Sequence, residues 1–468
     1  MKTVIAGVES GPHTPSVRGA LVSLSLCTLL SSLGTSIANV GLPTLADVFG
    51  ASFQQVQWVV IAYLLAITTL IVSVGRLGDT IGRRRLLLSG ICLFTVASTL
   101  CGVAPTLALL IGARALQGVG AAVMMALTLA FVGETVAKDR TGSAMGLLGT
   151  MSAIGTAMGP SLGGVLIAGM GWRVIFLISV PLGLLTLALA HRCLPADRPM
   201  SGTPFAGFDW LGTSVLALSL ASYALATTLG RARFGVLNLG LLVLAAVGAG
   251  LFVLTQARTA RPLLSLALLR DPVLSASLAM NALVATVMMA TLVVGPFYLA
   301  QALGLDAVRV GLILAIGPLV AALMGVPAGR IADRLGAQRI TRAGTVMMAI
   351  GCGALALAPD ALGIGGYVVA MVVLTFGYVL FQTANNSAVM ANVATEQRGV
   401  ISGLLNLSRN LGLITGASVL GAVFAWAANA VELTSAHPAA VASALHITFG
   451  VASGLTVAAA LIARCKRE

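Results

Sequence analysis

Long apolar runs, interrupted at clusters of charged residues, fill most of the chain. Cut at those clusters, they predict helices at about 20–41, 55–75, 86–104, 106–130, 143–168, 174–190, 211–229, 236–255, 274–298, 310–328, 341–358, 364–390, 401–425 and 446–463. Each is near the roughly 20 apolar residues that carry an α-helix across the hydrocarbon core. Runs such as Leu86 to Ala113 and Val236 to Leu254 lack the two-residue alternation of a membrane barrel strand. The pattern predicts an all-α polytopic membrane protein with fourteen transmembrane helices, and the lipid bilayer as its first partner.

Composition agrees and removes other classes. Of 468 residues, 58% are hydrophobic and 9% charged, against roughly 25% charged in a soluble domain, which excludes an ordinary soluble enzyme. The net charge of +13 is not concentrated in a dense basic run with interleaved aromatics, so nucleic acid is not an expected partner. It reads instead as topology. Of the 27 Lys and Arg, 21 fall in segments that share one side of the membrane; Arg173, Arg231, Arg233 and Arg309 fall on the other, and Arg114 and Arg409 lie within spans. The positive-inside rule then places both termini in the cytoplasm of a plasma (inner) membrane protein. The six Cys have no CxxC or zinc-ligand spacing, so no metal is expected.

The chain repeats itself. GRLGDTIGRRR at 75–85 returns as GRIADRLGAQR at 329–339, and Leu42-Pro43 as Gly295-Pro296. Gly155, Gly159 and Gly164 return as Gly412, Gly416 and Gly421, at nearly the same offset. An offset near 254 leaves room for two spans between the halves, at about 211–229 and 236–255. The expected organisation is a six-helix bundle over 1–190, a cytoplasmic linker with two extra helices over 191–273, and a second six-helix bundle over 274–468.

Three motifs carry the candidate chemistry. The segment after span two combines a Gly-permitted tight turn, a carboxylate and several cations: Gly75, Asp79, Gly82, Arg83 and Arg84, with Asp333 and Arg334 in the repeat. A dedicated inter-helix latch explains the recurrence better than a topogenic basic loop. In span four Arg114 is followed by Gln117, Gly118, Gly120, Ala121 and Ala122; an intramembrane Arg costs about 2.5 kcal/mol or more on insertion scales, so an idle one is improbable. In span five Gly155, Gly159, Pro160, Gly163 and Gly164 make a smooth face for another helix, with a bend at the proline.

These motifs, in this order and over nearly the whole chain, resemble the major facilitator superfamily, specifically its fourteen-helix drug:proton antiporter branch. GWRVIFLISVPLG at 171–183, FDWLG at 208–212 and RGVISGLLNLSRNLG at 398–412 strengthen the likeness. The resemblance implies two pseudo-symmetric bundles plus two inserted helices, gating by the Asp79 motif, proton coupling at Arg114 and export through the span-five motif. It also implies no cofactor, a proton gradient as energy source, and a monomer. One departure stands out: span one reads LGTSIANVGLP at 33–43, with Gly34 where the branch carries an acidic residue. No mid-membrane carboxylate replaces it, which disfavours cationic substrates, whereas Arg114 and Arg409 suit anionic, zwitterionic or neutral polar ones. Coupling would then run through Asp79 with Arg114, or through His446 near the outer end of the last span, a position that an interfacial histidine also explains.

The expected substrate contacts are Thr35, Asn39, Met124, Asn281, Phe297, Tyr378, Phe381, Gln382, Asn385 and Asn386, since amides in hydrocarbon need a partner or a wet cavity. The expected function is export of amphipathic small molecules such as drugs, antibiotics or related metabolites. Proton-independent or uptake transport of a polar metabolite, and a non-transporting membrane sensor, are the alternatives. No Ser-His-Asp arrangement, HExxH or phosphate loop points to an enzyme.

Overall fold

A computed structural model describes residues 17–135, 141–195, 197, 209–229, 235–259, 270–357, 362–391, 398–428 and 437–465; at some helical positions, 75, 79 and 333 among them, only the backbone is described. The helices are α1 Val17–Val40, α2 Leu42–Phe49, α3 Phe53–Ile81, α4 Arg83–Val103, α5 Leu107–Thr135, α6 Thr141–Met170, α7 Val174–Leu177, α8 Ser179–Cys193 and α9 Trp210–Thr228. They continue as α10 Val236–Arg258, α11 Pro272–Phe297, α12 Ala307–Leu335, α13 Ala337–Leu357, α14 Gly363–Ala391, α15 Arg398–Thr415, α16 Gly421–Ala427 and α17 Pro438–Cys465. Two π-helical turns, Tyr298–Ala302 and Gly416–Leu420, extend α11 and join α15 to α16. Among the described residues there is no strand, and 14 helical spans are long and apolar enough to cross a membrane.

Short polar signals set the helix ends. Ser52 caps α3 in a reciprocal box, its hydroxyl accepting from the Gln55 N–H while the Gln55 side chain accepts from Ser52 N–H at 2.8 Å. Asp271 caps α11 and Asp306 caps α12, each accepting a backbone N–H at 2.9 Å. Successive crossings put the 40–53, 103–107, 170–174 and 302–307 connections on one face, with Arg173 and Arg309. The opposite face carries Arg83 to Arg85, Arg192, Arg258, Arg334, Arg339 and Arg464. These are the arginine-poor and arginine-rich faces.

The helices α1 to α8 pack together, as do α11 to α17. Between them in sequence, α9 and α10 form a hairpin. Asp209 caps α9 and also accepts from Gln256 near the end of α10 at 2.7 Å, and Asn238 donates to the Ala226 and Leu229 carbonyls at the other end. The hairpin lies along α3, where Trp58 donates to Thr228 at 3.0 Å and Ser73 meets Thr213 at 2.8 Å, and α9 also touches the Gly416–Leu420 turn.

One expectation is corrected. The Asp79 motif was expected to form a loop with a tight turn, yet α3 runs through Gly75 and Asp79 to Ile81, and Gly82 alone turns the chain into α4 at φ 104°. The repeat behaves identically: α12 runs through Asp333 to Leu335, and Gly336 makes the junction at φ 88°. Only glycine adopts such φ values without strain, which is why the turn needs a single residue.

Candidate gating and substrate sites

At the α3–α4 junction the structure describes a carboxylate that sequence reasoning missed. Asp197, from the segment after α8, accepts from the backbone N–H of Arg84 at 2.8 Å and of Arg85 at 3.1 Å, capping α4 where the helix dipole is positive. The Arg84 guanidinium also donates to the His191 carbonyl. A Cβ at Gly82 would strike the Asp197 carboxylate. No local spacing could have flagged Asp197, since it lies more than a hundred residues from the turn it holds. The Asp79 and Asp333 side chains lie outside the described positions; Arg334 is exposed and Arg83 half-buried.

Arg114 has no exposed surface. Its Nε donates to the Val59 carbonyl at 2.8 Å, one terminal nitrogen to the Gly34 carbonyl at 3.0 Å and the other to the Gln117 amide oxygen, while Gln117 donates to Ser98 at 2.7 Å. The guanidinium also lies over the Tyr63 ring at 4.1 Å. One cation on α5 thus binds α1 and α3 through backbone carbonyls and reaches α4 through Gln117 and Ser98, with no carboxylate among its described partners. Gly34, where an acid was missed, proves to be the backbone acceptor; a Cβ there would stand 2.9 Å from the Tyr63 hydroxyl, so the position is filled by neighbours. Asp79 is twenty residues along α3 from Val59, about 30 Å at 1.5 Å per residue, so the two members of the expected Asp79–Arg114 couple are not adjacent.

The glycine faces are where the repeat becomes three-dimensional. Gly155, Gly159 and Gly163 lie on α1 so closely that any side chain would meet Leu29, Ser36 or Val40, and Gly412 and Gly416 lie on Ala282 and Thr286 of α11 in the same way. The last glycine of each set faces the other bundle: Gly164 rests on Ala307 and Gly311 of α12, and Gly421 on the Gln57 amide of α3. Both helices break their ladder beside these contacts, α6 at Pro160 and its counterpart with the Gly416–Leu420 π-turn. Gln57 donates to the Ala417 carbonyl at 2.8 Å, and Phe53 packs edge-on against Phe297 at 4.7 Å and beside Phe424 at 5.5 Å. These inter-bundle contacts lie toward the arginine-poor face and seal it.

The expected substrate contacts divide by burial. Met124 and Phe381 are fully buried within their own bundles, and Phe297 belongs to the Phe53 seal. Asn281 donates to the Leu405 carbonyl at 2.8 Å and Asn385 to the Ser277 carbonyl at 3.4 Å, so both join helices of the second bundle. Asn39 turns back on its own helix to the Thr35 carbonyl at 3.0 Å. The amide oxygens of Asn39, Asn281, Asn385 and Asn386 nevertheless have no hydrogen-bond partner among the described residues. Thr35, Tyr378, Gln382, Asn386 and Arg409 are half-buried, and the geometry does not gather all ten residues into one site.

Comparison with known proteins agrees with this architecture. The Major Facilitator Superfamily model matches residues 24–417. The chain is 28% identical to the riboflavin transporter RibZ of Clostridioides difficile over 93% of this chain and 94% of that one. It is 30% identical to the multidrug efflux pump LfrA of Mycolicibacterium smegmatis over 91% and 84% respectively. Among solved structures, a bacterial homologue of the human lysosomal transporter Spinster, inward-facing and occupied, superposes with TM-score 0.67 at 14% identity, covering 95% of both chains. The human organic anion transporter MFSD10 gives 0.64 at 14% identity, covering 96% of this chain and all of that one. The chain therefore belongs to the Major Facilitator Superfamily, as a membrane transporter rather than an enzyme, with multidrug efflux pumps among its relatives.

Proposed function

We propose that the protein exports amphipathic small molecules by alternating access, in exchange for protons. The observation that carries this reading is the pair of pseudo-symmetric seams, Gly164 on Gly311 and Gly421 on Gln57, which close one face between two bundles able to rock about them. The arginine-rich face is cytoplasmic in this reading, both termini lie inside a plasma membrane, and the transporter works as a monomer. Substrate meets the half-buried residues Thr35, Tyr378, Gln382, Asn386 and Arg409. Because Arg114 is committed to backbone carbonyls, Arg409 is the cation that faces substrate. A neutral or zwitterionic amphipathic compound fits acceptors and one cation together.

The test is efflux of an accumulated fluorescent amphiphile from loaded vesicles under an imposed pH gradient. Acceleration by the gradient is expected, and no response would remove antiport. A second reading, proton-independent movement of a polar metabolite, is favoured by one observation: Gly34 leaves no room for the acid that the antiporter branch uses. Gradient-insensitive transport of a polar compound such as a flavin would select it.

A further inference from the structure

Beside the capped start of α4, helices α4 and α8 leave between them a surface groove of about 600 Å³. Its walls are apolar, from Leu88, Cys92, Leu184, Leu187 and Ala188, and its end at the arginine-rich face is formed by His191 and Arg192. From Leu184 to Arg192 the wall runs eight residues, about 12 Å of helix, which is most of one leaflet of a roughly 30 Å core. The rim is held in place: Arg84 donates to the His191 carbonyl, and Asp197 caps the start of α4. Asp197 is the single carboxylate described there, and its oxygens are turned onto the Arg84 and Arg85 N–H groups. Arg85 and Arg192 are exposed. The rim is therefore cationic above an apolar trough.

We propose that this groove is a site for an anionic phospholipid of the leaflet at the arginine-rich face, its acyl chain along Leu88, Leu184 and Leu187 and its phosphate at Arg192. Basic pockets between spanning helices recognise anionic headgroups by this pairing of charge and depth. The site faces outward from the bundle and goes beyond the transport reading, so its failure would leave that reading intact.

Native mass spectrometry of the full chain in mild detergent, with phosphatidylglycerol and phosphatidylcholine at equal concentration, tests it. Phosphatidylglycerol is expected to be retained about fivefold more than phosphatidylcholine, the factor that one cation near the surface is worth. Arg192→Gln, at an exposed side chain, should remove that preference, Ala188→Trp should lower retention of both lipids by filling the trough, and excess inorganic phosphate should not displace the lipid. Equal retention of the two lipids by the wild type, a preference unmoved by Arg192→Gln, or retention unmoved by Ala188→Trp overturns the proposal. Displacement by inorganic phosphate also overturns it, because the apolar trough would then contribute nothing.

Discussion

Arg114 earns its buried place by geometry: three donors meet carbonyls or an amide from three helices, and the Tyr63 ring covers the cation. Lysine carries the charge but lacks the planar fork, so it cannot reach Gly34 and Val59 together. Arg114→Lys should therefore lower stability by about 1–3 kcal/mol, the cost of buried polar groups left without partners, seen as an earlier thermal unfolding in detergent. Wild-type unfolding would mean that the carbonyl staples are dispensable. Asp197→Ala removes a helix cap worth about 1 kcal/mol. Amide hydrogen exchange at Arg84 and Arg85 should quicken, and unchanged exchange would show that the cap is not populated.

At the scale of the element, the two junction glycines make a matched pair. Gly336→Ala meets no atom within 4 Å and suffers only from φ 88°, whereas Gly82→Ala adds collision with Asp197 to a similar φ. Strained backbone costs about 1–3 kcal/mol, so both variants should unfold earlier, Gly82→Ala the more so. An equal loss would argue that Asp197 yields freely. In α6, Gly159→Leu drives a side chain into Ser36 and the α1 backbone. Because membrane helices associate through close packing rather than through release of water, that variant should lose efflux while still inserting. Efflux at the wild-type rate would sink the packing argument.

For the molecule as a whole, opening the arginine-poor face requires three things to part: the Gln57–Ala417 hydrogen bond, the Phe53 cluster and the Gly164–Gly311 contact. Hydrogen bonds between membrane helices average about 0.6 kcal/mol and reach about 1.7, so Gln57→Ala should raise the open population about threefold or more. Spin labels at Gly169 and Arg309, on α6 and α12, would report this as growth of a longer distance in pulsed resonance. An unchanged distribution would remove Gln57 from the gate.

Much of this was legible in one dimension, since a chain in hydrocarbon must satisfy its backbone within each span and so writes its helices as apolar runs. While the basic asymmetry and the repeat that aligns Gly82 with Gly336 are read directly from the charge and glycine positions, the fourteen spans follow from that constraint. So does Arg114 as a residue with work to do, but not the nature of the work. Sequence could not show that Gly34 offers its carbonyl where an acid was expected, because backbone acceptors carry no residue signature. Nor could it reveal Asp197 on the start of α4, Gln57 on the π-turn, or the free amide oxygens. Each depends on which helix faces which, and that is decided by close packing among glycine faces and polar pairs between spans. The apolar pattern, alike on every span, leaves that choice to the tertiary structure.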